Sequence, residues 1–183
     1  MITRLFALVL LVILSPIFLF VALFILIEDG IPVFFTQKRV GVNYTFFQIY
    51  KFRSMKKNTP NVATHLLVNP DQDLLKIGGL LRKLSLDELP NLINIIKGEM
   101  VFVGPRPALY NQDDLMTLRL ATGVDKLKPG ITGWAQINGR DDISIEKKVQ
   151  LDQEYLQKKS FLFDIEILIK TFTNVLFIKG VSH

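Results

Sequence analysis

The chain has 183 residues, enough to bury one sizeable hydrophobic core but too few for two independent domains. It contains no cysteine, which excludes disulfides, thiolate catalysis and thiolate metal sites, and its two histidines are too few for a histidine-rich zinc site. The net charge of +5 is compatible with an anionic lipid surface, nucleotide phosphate or nucleic acid. The sequence has no zinc-finger spacing and no RNA-recognition signature, so nucleic acid is not expected as a partner.

The first predicted element is an apolar helix. Residues 5–27 carry no charge over 23 positions, and about 20 apolar residues suffice to cross a hydrocarbon core. Ser15 and Pro16 interrupt the segment near its midpoint, where proline frees the carbonyl of Val12 and the serine hydroxyl can bond a nearby backbone group. We therefore expect a kink. Either a kinked spanning helix or a re-entrant hairpin fits this pattern, and composition alone favours the spanning helix.

The segment after the apolar run is basic. By the positive-inside rule this bias places the downstream part of the chain in the cytoplasm. The residues concerned are Lys38, Arg39, Lys51, Arg53, Lys56 and Lys57.

A short β-hairpin is predicted within this basic region. Residues 33–36 and 45–52 are rich in β-branched and aromatic side chains, and the stretch KRVGVN separates them. Lys51 and Arg53 then end on a strand beside an apolar surface. They form either a solvated basic edge or a contact with phosphate or lipid head groups.

Two helices are predicted on either side of Pro90. The first covers residues 73–84, where apolar side chains recur at helical spacing: Leu74, Ile77, Leu81 and Leu84. The second follows Pro90 and ends near Gly98, because glycine suits the left-handed conformation at a helix end. Its inward side chains are Leu92, Ile95 and Ile96.

Between these helices lies the most informative feature of the chain, the adjacent acidic pair Asp87 and Glu88. The pair stands between arginines at Arg82 and Arg106. Mg2+ takes oxygen ligands, and guanidinium groups match phosphate oxygens in a bidentate manner. The arrangement therefore suits a centre that binds a metal ion and phosphate.

A structural interpretation of the same residues is also available. Ser85 and Glu88 fit a helix capping box, with Asp87 favouring the positive end of the helix dipole. Pro90 opposes this interpretation, because a helix that begins at Ser85 needs the backbone N–H that proline lacks. The alternative is that the acidic pair lies at an irregular or strained helix start.

Two further segments are predicted to be irregular. Residues 103–107 hold two prolines and a glycine around Arg106, which predicts a rigid turn that fixes the arginine for a phosphate contact. Residues 128–140 alternate glycine, proline and asparagine around Trp134, a pattern that predicts a structured loop. Trp134 either stacks on a base or packs in the core, and Arg140 is the more plausible ligand.

The chain ends in two predicted helices. Residues 146–156 form a polar-faced helix that carries Asp152 and Tyr155. Residues 161–178 form an amphipathic helix whose charges oppose a second membrane span. It lies at the bilayer interface or covers the core, with these apolar residues on one face: Ile165, Leu168, Ile169, Phe172, Val175 and Leu176.

Three motifs occur in one order along the chain: YKFRSM at residues 50–55, LRKLSLDELPNLINIIKGEMVFVGPRP at 81–107 and KPGITGWAQINGR at 128–140. Together they resemble the bacterial sugar transferase family, the monotopic polyprenyl-phosphate phosphoglycosyl transferases. The resemblance runs from the apolar N-terminus to Gly180.

This resemblance implies a fold. We expect an α/β, mostly helical, single compact domain with a short β-hairpin and an N-terminal re-entrant membrane helix broken at Ser15-Pro16. Residues 1–28 would be inserted in the membrane, and residues 29–183 would form a cytosolic catalytic domain with interfacial amphipathic helices. Larger family members carry several more N-terminal membrane helices and an extra domain, so the small form is expected.

The resemblance also implies a reaction, in which a phosphosugar moves from a UDP-sugar to undecaprenyl phosphate with release of UMP. Asp87 would be the covalent nucleophile and Glu88 would hold Mg2+, although the two could exchange roles and Asp87 could also contact the metal. Phosphates or uridine would be positioned by Arg82, Arg106, Arg140 and Lys51. Asp152 matches an acidic position of the family and is assigned to the same substrate-binding set.

The expected setting is the bacterial cytoplasmic membrane, with the site facing the cytoplasm. There the reaction would initiate glycoconjugate assembly, and downstream glycosyltransferases would be possible partners. A non-catalytic membrane-anchored binding module is the alternative.

Overall fold

The apolar N-terminus forms two helices, α1 (Ile2–Ile13) and α2 (Ser15–Asp29). The structure is a computed structural model that describes residues 1–60, 72–139 and 143–176. The helices are bent by 60° at their junction. Ser15 Oγ donates a hydrogen bond to the Val12 carbonyl over 2.7 Å, so the predicted kink and its hydrogen bond are confirmed. Among the described helices none alone is long and apolar enough to cross a bilayer; the bent pair meets both criteria only when its halves are counted together.

The predicted hairpin is present, with a longer first strand. β1 (Phe34–Val40) pairs antiparallel with β2 (Phe46–Phe52), and a 3-10 turn, Val42–Tyr44, joins them. The prediction that KRVGVN forms the turn was wrong for its first half. Lys38 pairs with Gln48 and Arg39 with Phe47 in the antiparallel ladder, so the strand continues through the basic residues.

The two predicted helices around Pro90 are also present. α3 (Gly78–Lys83) begins five residues later than predicted, because the chain before it is held extended: Leu74 bridges Met55, and the Leu75 N–H donates to the Ser54 carbonyl. α4 (Asn91–Lys97) ends at Gly98, whose φ of 83° is the left-handed conformation expected there.

The segment predicted as a structured loop at residues 128–140 contains a strand and a helix. β4 (Gly130–Thr132) pairs in parallel with β3 (Val101–Val103), and α6 (Trp134–Asn138) follows. The glycines permit this pairing by letting two backbones approach closely. A Cβ atom on Gly130 would lie only 2.2 Å from the Gly104 nitrogen.

Three longer helices complete the described part of the chain: α5 (Asp113–Thr122), α7 (Ile145–Lys158) and α8 (Phe161–Leu176). α7 and α8 pack together through Tyr155, Phe163 and Ile167. Ile167 is fully buried in this cluster, so one face of α8 covers the core, as one of the two alternatives held; a place at the bilayer interface stays a prediction. The opposite face of α8 is exposed. Its exposed residues include Phe161, Leu162, Ile165, Leu168, Ile169 and Phe172.

The N-terminal helices belong to the same domain as the rest. Ala7 of α1 packs with Ile49 and Leu92, and Ile25 of α2 packs with Phe52 and neighbouring leucines. The single compact, mostly helical domain with short sheets is thereby confirmed. One side of the apolar helix pair helps to form the core on which the candidate site is built.

Candidate active site

The acidic pair lies on a 3-10 turn, Leu86–Glu88, between α3 and α4. Ser85 precedes it in the left-handed conformation, with φ of 54°, and its side chain makes no capping hydrogen bond. The capping-box interpretation was therefore wrong. The irregular helix start is confirmed, and α4 begins only at Asn91, where Pro90 no longer blocks a hydrogen bond.

Glu88 is held by two cations. Its Oε1 lies 2.6 Å from Lys51 Nζ and 3.5 Å from Arg106 Nη1. Burial alone would raise the pKa of Glu88, but the positive charges of Lys51 and Arg106 outweigh it and hold the pKa below its usual range. Glu88 is therefore ionised throughout the physiological range.

Asp87 has the opposite electrostatic balance. Its side chain is buried, with 8% exposure. Burial, reinforced by the negative charge of Glu88, raises the pKa of Asp87 to about 6 against the opposing charges of Lys51, Arg82 and Arg106. The two carboxylates are adjacent in sequence, yet their environments shift their pKa values in opposite directions, which is a common property of functional sites.

A buried asparagine joins the strand that carries Lys51 to the helix after the acidic pair. Asn94 of α4 is fully buried; it accepts a hydrogen bond from the Tyr50 N–H over 3.2 Å and donates to the Gln48 carbonyl over 2.7 Å. Lys51 is the next residue on β2, so these bonds keep its backbone beside α4. On the other side of the pair, Arg82 Nε donates to Ser54 Oγ over 2.9 Å.

The turn that carries Arg106 is fixed at four successive carbonyls, as its prolines and glycine predicted. Each carbonyl accepts a hydrogen bond of 2.9 to 3.0 Å from a different part of the chain. The donors are Gly130 N to Pro105, Arg119 Nη1 to Arg106, Arg39 Nη1 to Pro107 and Val40 N to Ala108. This anchoring fixes the backbone that carries Arg106, whose partly exposed side chain lies at the mouth of the cleft.

Lys51, Glu88 and Arg106 line one cleft, together with two residues that the sequence analysis did not select for the site, Arg39 and Asn91. Asn91 was detectable in principle, because it follows Asp87 by four residues and so shares a face with it where the backbone is helical. Arg39 gave no local signal, since its place depends on a contact with Pro107, 68 residues away.

Two further predicted site residues were Arg140 and Asp152. Arg140 is outside the described residues. Asp152 is on α7 with 2% exposure, and its carboxylate accepts hydrogen bonds from Arg119, a residue the sequence analysis missed. Trp134 packs against the core beside Phe163, which is the second of the two alternatives that its sequence left open.

The two alternatives for Arg53, a solvated basic edge or a contact with phosphate or lipid head groups, were both wrong. Its guanidinium is buried against Asp29 and donates to the carbonyls of Gly30 and Pro32, each over 2.7 Å. Arg53 therefore joins the end of α2 to the hairpin, beneath the site.

The donor atoms at the acidic pair suit a magnesium ion. Within residues 1–60, 72–139 and 143–176 there is no group of three or more His, Cys, Asp or Glu side chains that would enclose a metal. Mg2+ needs only one or two carboxylates when substrate phosphates complete its shell. Asn91 Oδ1 supplies a further oxygen in this cleft, because it is buried and accepts no hydrogen bond from the described residues.

Carboxylates held among lysine and arginine side chains form the kind of site in which enzymes bind and transfer phosphorylated groups. The sequence agrees with this class. The chain belongs to the bacterial sugar transferase family, whose model matches residues 1–178.

Several named proteins are similar to this chain over most of its length. The uncharacterized sugar transferase EpsL of Bacillus subtilis (strain 168) is 45% identical over 170 residues, which cover 92% of this chain and 82% of EpsL. The UDP-glucose:undecaprenyl-phosphate glucose-1-phosphate transferase of Escherichia coli (strain K12) is 39% identical over 90% of this chain and 37% of its own length. The undecaprenyl-phosphate galactose phosphotransferase of Salmonella typhimurium (strain LT2) is 36% identical over 79% of this chain and 33% of its own length.

Proposed function

We propose that this chain transfers a phosphosugar from a UDP-sugar to undecaprenyl phosphate, giving undecaprenyl diphosphate sugar and UMP, and thereby initiates assembly of a bacterial glycoconjugate. The observation that carries the proposal is the cluster of Lys51, Arg82 and Arg106 around the buried Asp87 and its neighbour Glu88. Such cations offset the repulsion between two phosphorylated substrates. The names of the Escherichia coli and Salmonella relatives support the acceptor.

Asp87 acts as the nucleophile. Its carboxylate oxygen attacks the β-phosphorus of the UDP-sugar, and the bond from that phosphorus to the bridging oxygen breaks, so that UMP leaves with the oxygen. A phosphate oxygen of the lipid then attacks the same phosphorus and releases the Asp87 carboxylate. The pKa of about 6 supports this role, because at neutral pH most of the Asp87 population is ionised while its burial limits solvation by water.

The other residues bind and orient. Arg106 and Lys51 hold the donor diphosphate at the cleft mouth, and Arg82 faces the nucleophile from α3. Glu88, Asp87 and Asn91 provide the oxygen atoms that would hold Mg2+. The ion, when bound, neutralises charge on the transferring phosphoryl group and the leaving group.

The exposed apolar surfaces of α1, α2 and α8 suit an acceptor that is held in lipid. α1 and α2 expose many large apolar side chains, a surface that suits contact with lipid, and their 60° bend suits a re-entrant pair that enters and leaves by the cytoplasmic face. The exposed stripe of α8 supplies a second lipid-facing surface. In this arrangement the site lies at the cytoplasmic membrane, where the lipid phosphate and the soluble nucleotide sugar meet.

The experiment measures UMP release from a panel of UDP-sugars by purified protein in lipid, with undecaprenyl phosphate and Mg2+. The panel is necessary because the names of the relatives specify different sugars, glucose and galactose. We expect lipid-dependent UMP release with one sugar and none from Asp87→Asn. Asp113→Asn, the same change at an exposed site on α5, is the matched control and should retain activity.

The covalent step is tested by intact-protein mass after incubation with the UDP-sugar and Mg2+, without undecaprenyl phosphate. We expect a mass increase equal to one phosphosugar in the wild type and none in Asp87→Asn. Turnover by Asp87→Asn would remove Asp87 from the nucleophile role. Folded, lipid-bound protein that releases no UMP from any sugar would favour the non-catalytic membrane-anchored module.

A further inference from the structure

A buried ion pair lies directly behind the Arg106 turn. Arg119 of α5 and Asp152 of α7 are 5% and 2% exposed. The guanidinium donates to Asp152 Oδ2 from Nε over 3.1 Å and from Nη2 over 2.6 Å. Both bonds use one edge of the guanidinium fork, so they fix its rotation.

The remaining arm of the fork reaches the site. Arg119 Nη1 donates to the Arg106 carbonyl over 2.9 Å. Because the guanidinium is planar and rigid, the Asp152 carboxylate determines the direction in which Nη1 points. The side chain of Arg106 in turn lies 3.5 Å from Glu88. A continuous series of contacts thus runs from α7 through α5 to the acidic pair.

Stability alone is a poor reason for this pair. Burying two charges carries a desolvation cost, and replacing such a pair by well-packed apolar side chains is often neutral or stabilising. An apolar pair would fill the same space but would donate nothing to the Arg106 carbonyl. What the ion pair adds to packing is therefore a hydrogen bond of fixed direction on the backbone of a site residue.

We propose that Asp152 and Arg119 are positioning residues: Asp152 orients Arg119, which fixes the Arg106 backbone so that its side chain meets Glu88 and the donor diphosphate. The proposal rests on the proposed function, because it assigns the pair to the geometry of that same site. It also changes the part expected of Asp152, which acts through Arg119 and Arg106 and makes no contact with substrate.

The test is a mutant cycle on kcat/KM. Asp152→Leu with Arg119→Met replaces the pair by apolar side chains, and this double change is measured alone and in an Arg106→Ala background. We expect a loss of up to about 100-fold alone, because a misplacement of about 1 Å in a site can lower the rate by that factor. In the Arg106→Ala background we expect less than about a twofold further loss, because the group being positioned is already absent.

Equal losses in both backgrounds, or no loss in either, would overturn the proposal. If the double variant does not fold, Arg119→Lys replaces it, since one ammonium keeps the charge opposite Asp152 but loses the planar fork. The control is Glu166→Gln with Lys170→Gln, which removes an exposed pair of the same 2.6 Å length on α8 and should leave kcat/KM unchanged.

A second measurement separates this proposal from the proposed function. Hydrogen exchange at the Gly130 and Val40 amides, which donate to the carbonyls of Pro105 and Ala108, reports the anchoring of the turn and needs no substrate. We expect faster exchange there in the apolar-pair variant, even if no UDP-sugar proves to be a donor. Unchanged exchange would contradict the positioning role, whereas failure of UMP release in the wild type would contradict only the reaction.

Discussion

At the scale of single residues, Asp87 is placed where its charge opposes folding. An ordinary aspartate pKa of 3.8 rises to about 6 in the folded chain, mainly through burial. The folded state therefore binds its proton more tightly than the unfolded state does. The resulting destabilisation is absent below pH 3.8, grows as pH rises toward 6 and is complete above it.

Asp87→Asn should consequently stabilise the protein at neutral pH while abolishing transfer. At 1.36 kcal/mol per pKa unit, the gain in free energy of unfolding is about 3 kcal/mol at pH 7.5, and it should vanish near pH 4. Thermal melting of both proteins in detergent with EDTA, across this pH range, measures the difference. A variant less stable than the wild type at pH 7.5 would show that the carboxylate contributes bonds that outweigh its burial.

Asn91 permits a separate prediction about the metal. Asn91→Leu keeps the side-chain volume roughly and removes an amide oxygen that is buried without a hydrogen-bond partner in the described structure. We expect unchanged or higher melting temperature, because an unsatisfied buried polar group is costly. We also expect weaker binding of Mn2+ as a probe for Mg2+, measured by electron paramagnetic resonance. Unaltered Mn2+ affinity would remove Asn91 from the metal site.

The sequence predicted the local chemistry of the site better than its wider geometry. Asp87, Glu88, Arg82, Lys51 and Arg106 meet as expected, because most of them lie within one short motif. Arg119 and Arg39 were missed for the same physical reason. Each donates to the backbone carbonyl of a residue elsewhere in the chain. Because every residue has a backbone carbonyl, no residue type in the sequence indicates such a contact.

At the scale of elements, α3 shows how one glycine fixes the place of a helix. A Cβ atom on Gly78 would lie 2.0 Å from the Ser54 carbonyl oxygen, whereas one on Gly79 would meet nothing within 4 Å. The close contact at Gly78 brings α3 against the end of β2. That approach lets Arg82, one turn further along, bond Ser54 Oγ.

The two neighbouring glycines form a matched pair of variants. Gly78→Ala should destabilise the fold by about 1–3 kcal/mol through overpacking and should lower activity by displacing Arg82. Gly79→Ala should instead stabilise it by up to about 1 kcal/mol, because alanine is the better helix former. Denaturation curves and UMP release together measure both effects. Equal behaviour of the two variants would show that the backbone contact is not needed.

The element predictions failed where pairing over a long range determines structure. β4 has three residues among glycines, and its partner β3 lies 29 residues earlier in the register of Val101 with Gly130. No local periodicity indicates such a strand. The helices α4 and α7 and the break at Ser15-Pro16 were predictable, because helical spacing and proline act over a few residues.

At the scale of the whole molecule, the N-terminal helix pair fits two topologies, a re-entrant pair and a kinked spanning helix. In the re-entrant arrangement that we propose, the start of α1 and the catalytic domain lie on the same side of the membrane. The absence of cysteine makes a direct test possible, since any introduced cysteine is unique. Thr3→Cys and Asp125→Cys should both react with an impermeant thiol reagent only from the cytoplasmic face of sealed vesicles. Labelling of Thr3→Cys from the opposite face would establish a spanning helix.

The four anchored carbonyls of residues 105–108 also have a consequence for biosynthesis. Two of their donors, Arg39 and Val40, are made before the turn, but the other two, Arg119 and Gly130, are made after it. Asp152, which orients Arg119, leaves the ribosome later still. Because a chain emerges from its N-terminus, the apolar helices are available to lipid well before the last of these contacts forms. In the membrane arrangement that we propose, α1 and α2 would therefore reach the lipid before the contacts that fix the Arg106 turn are complete.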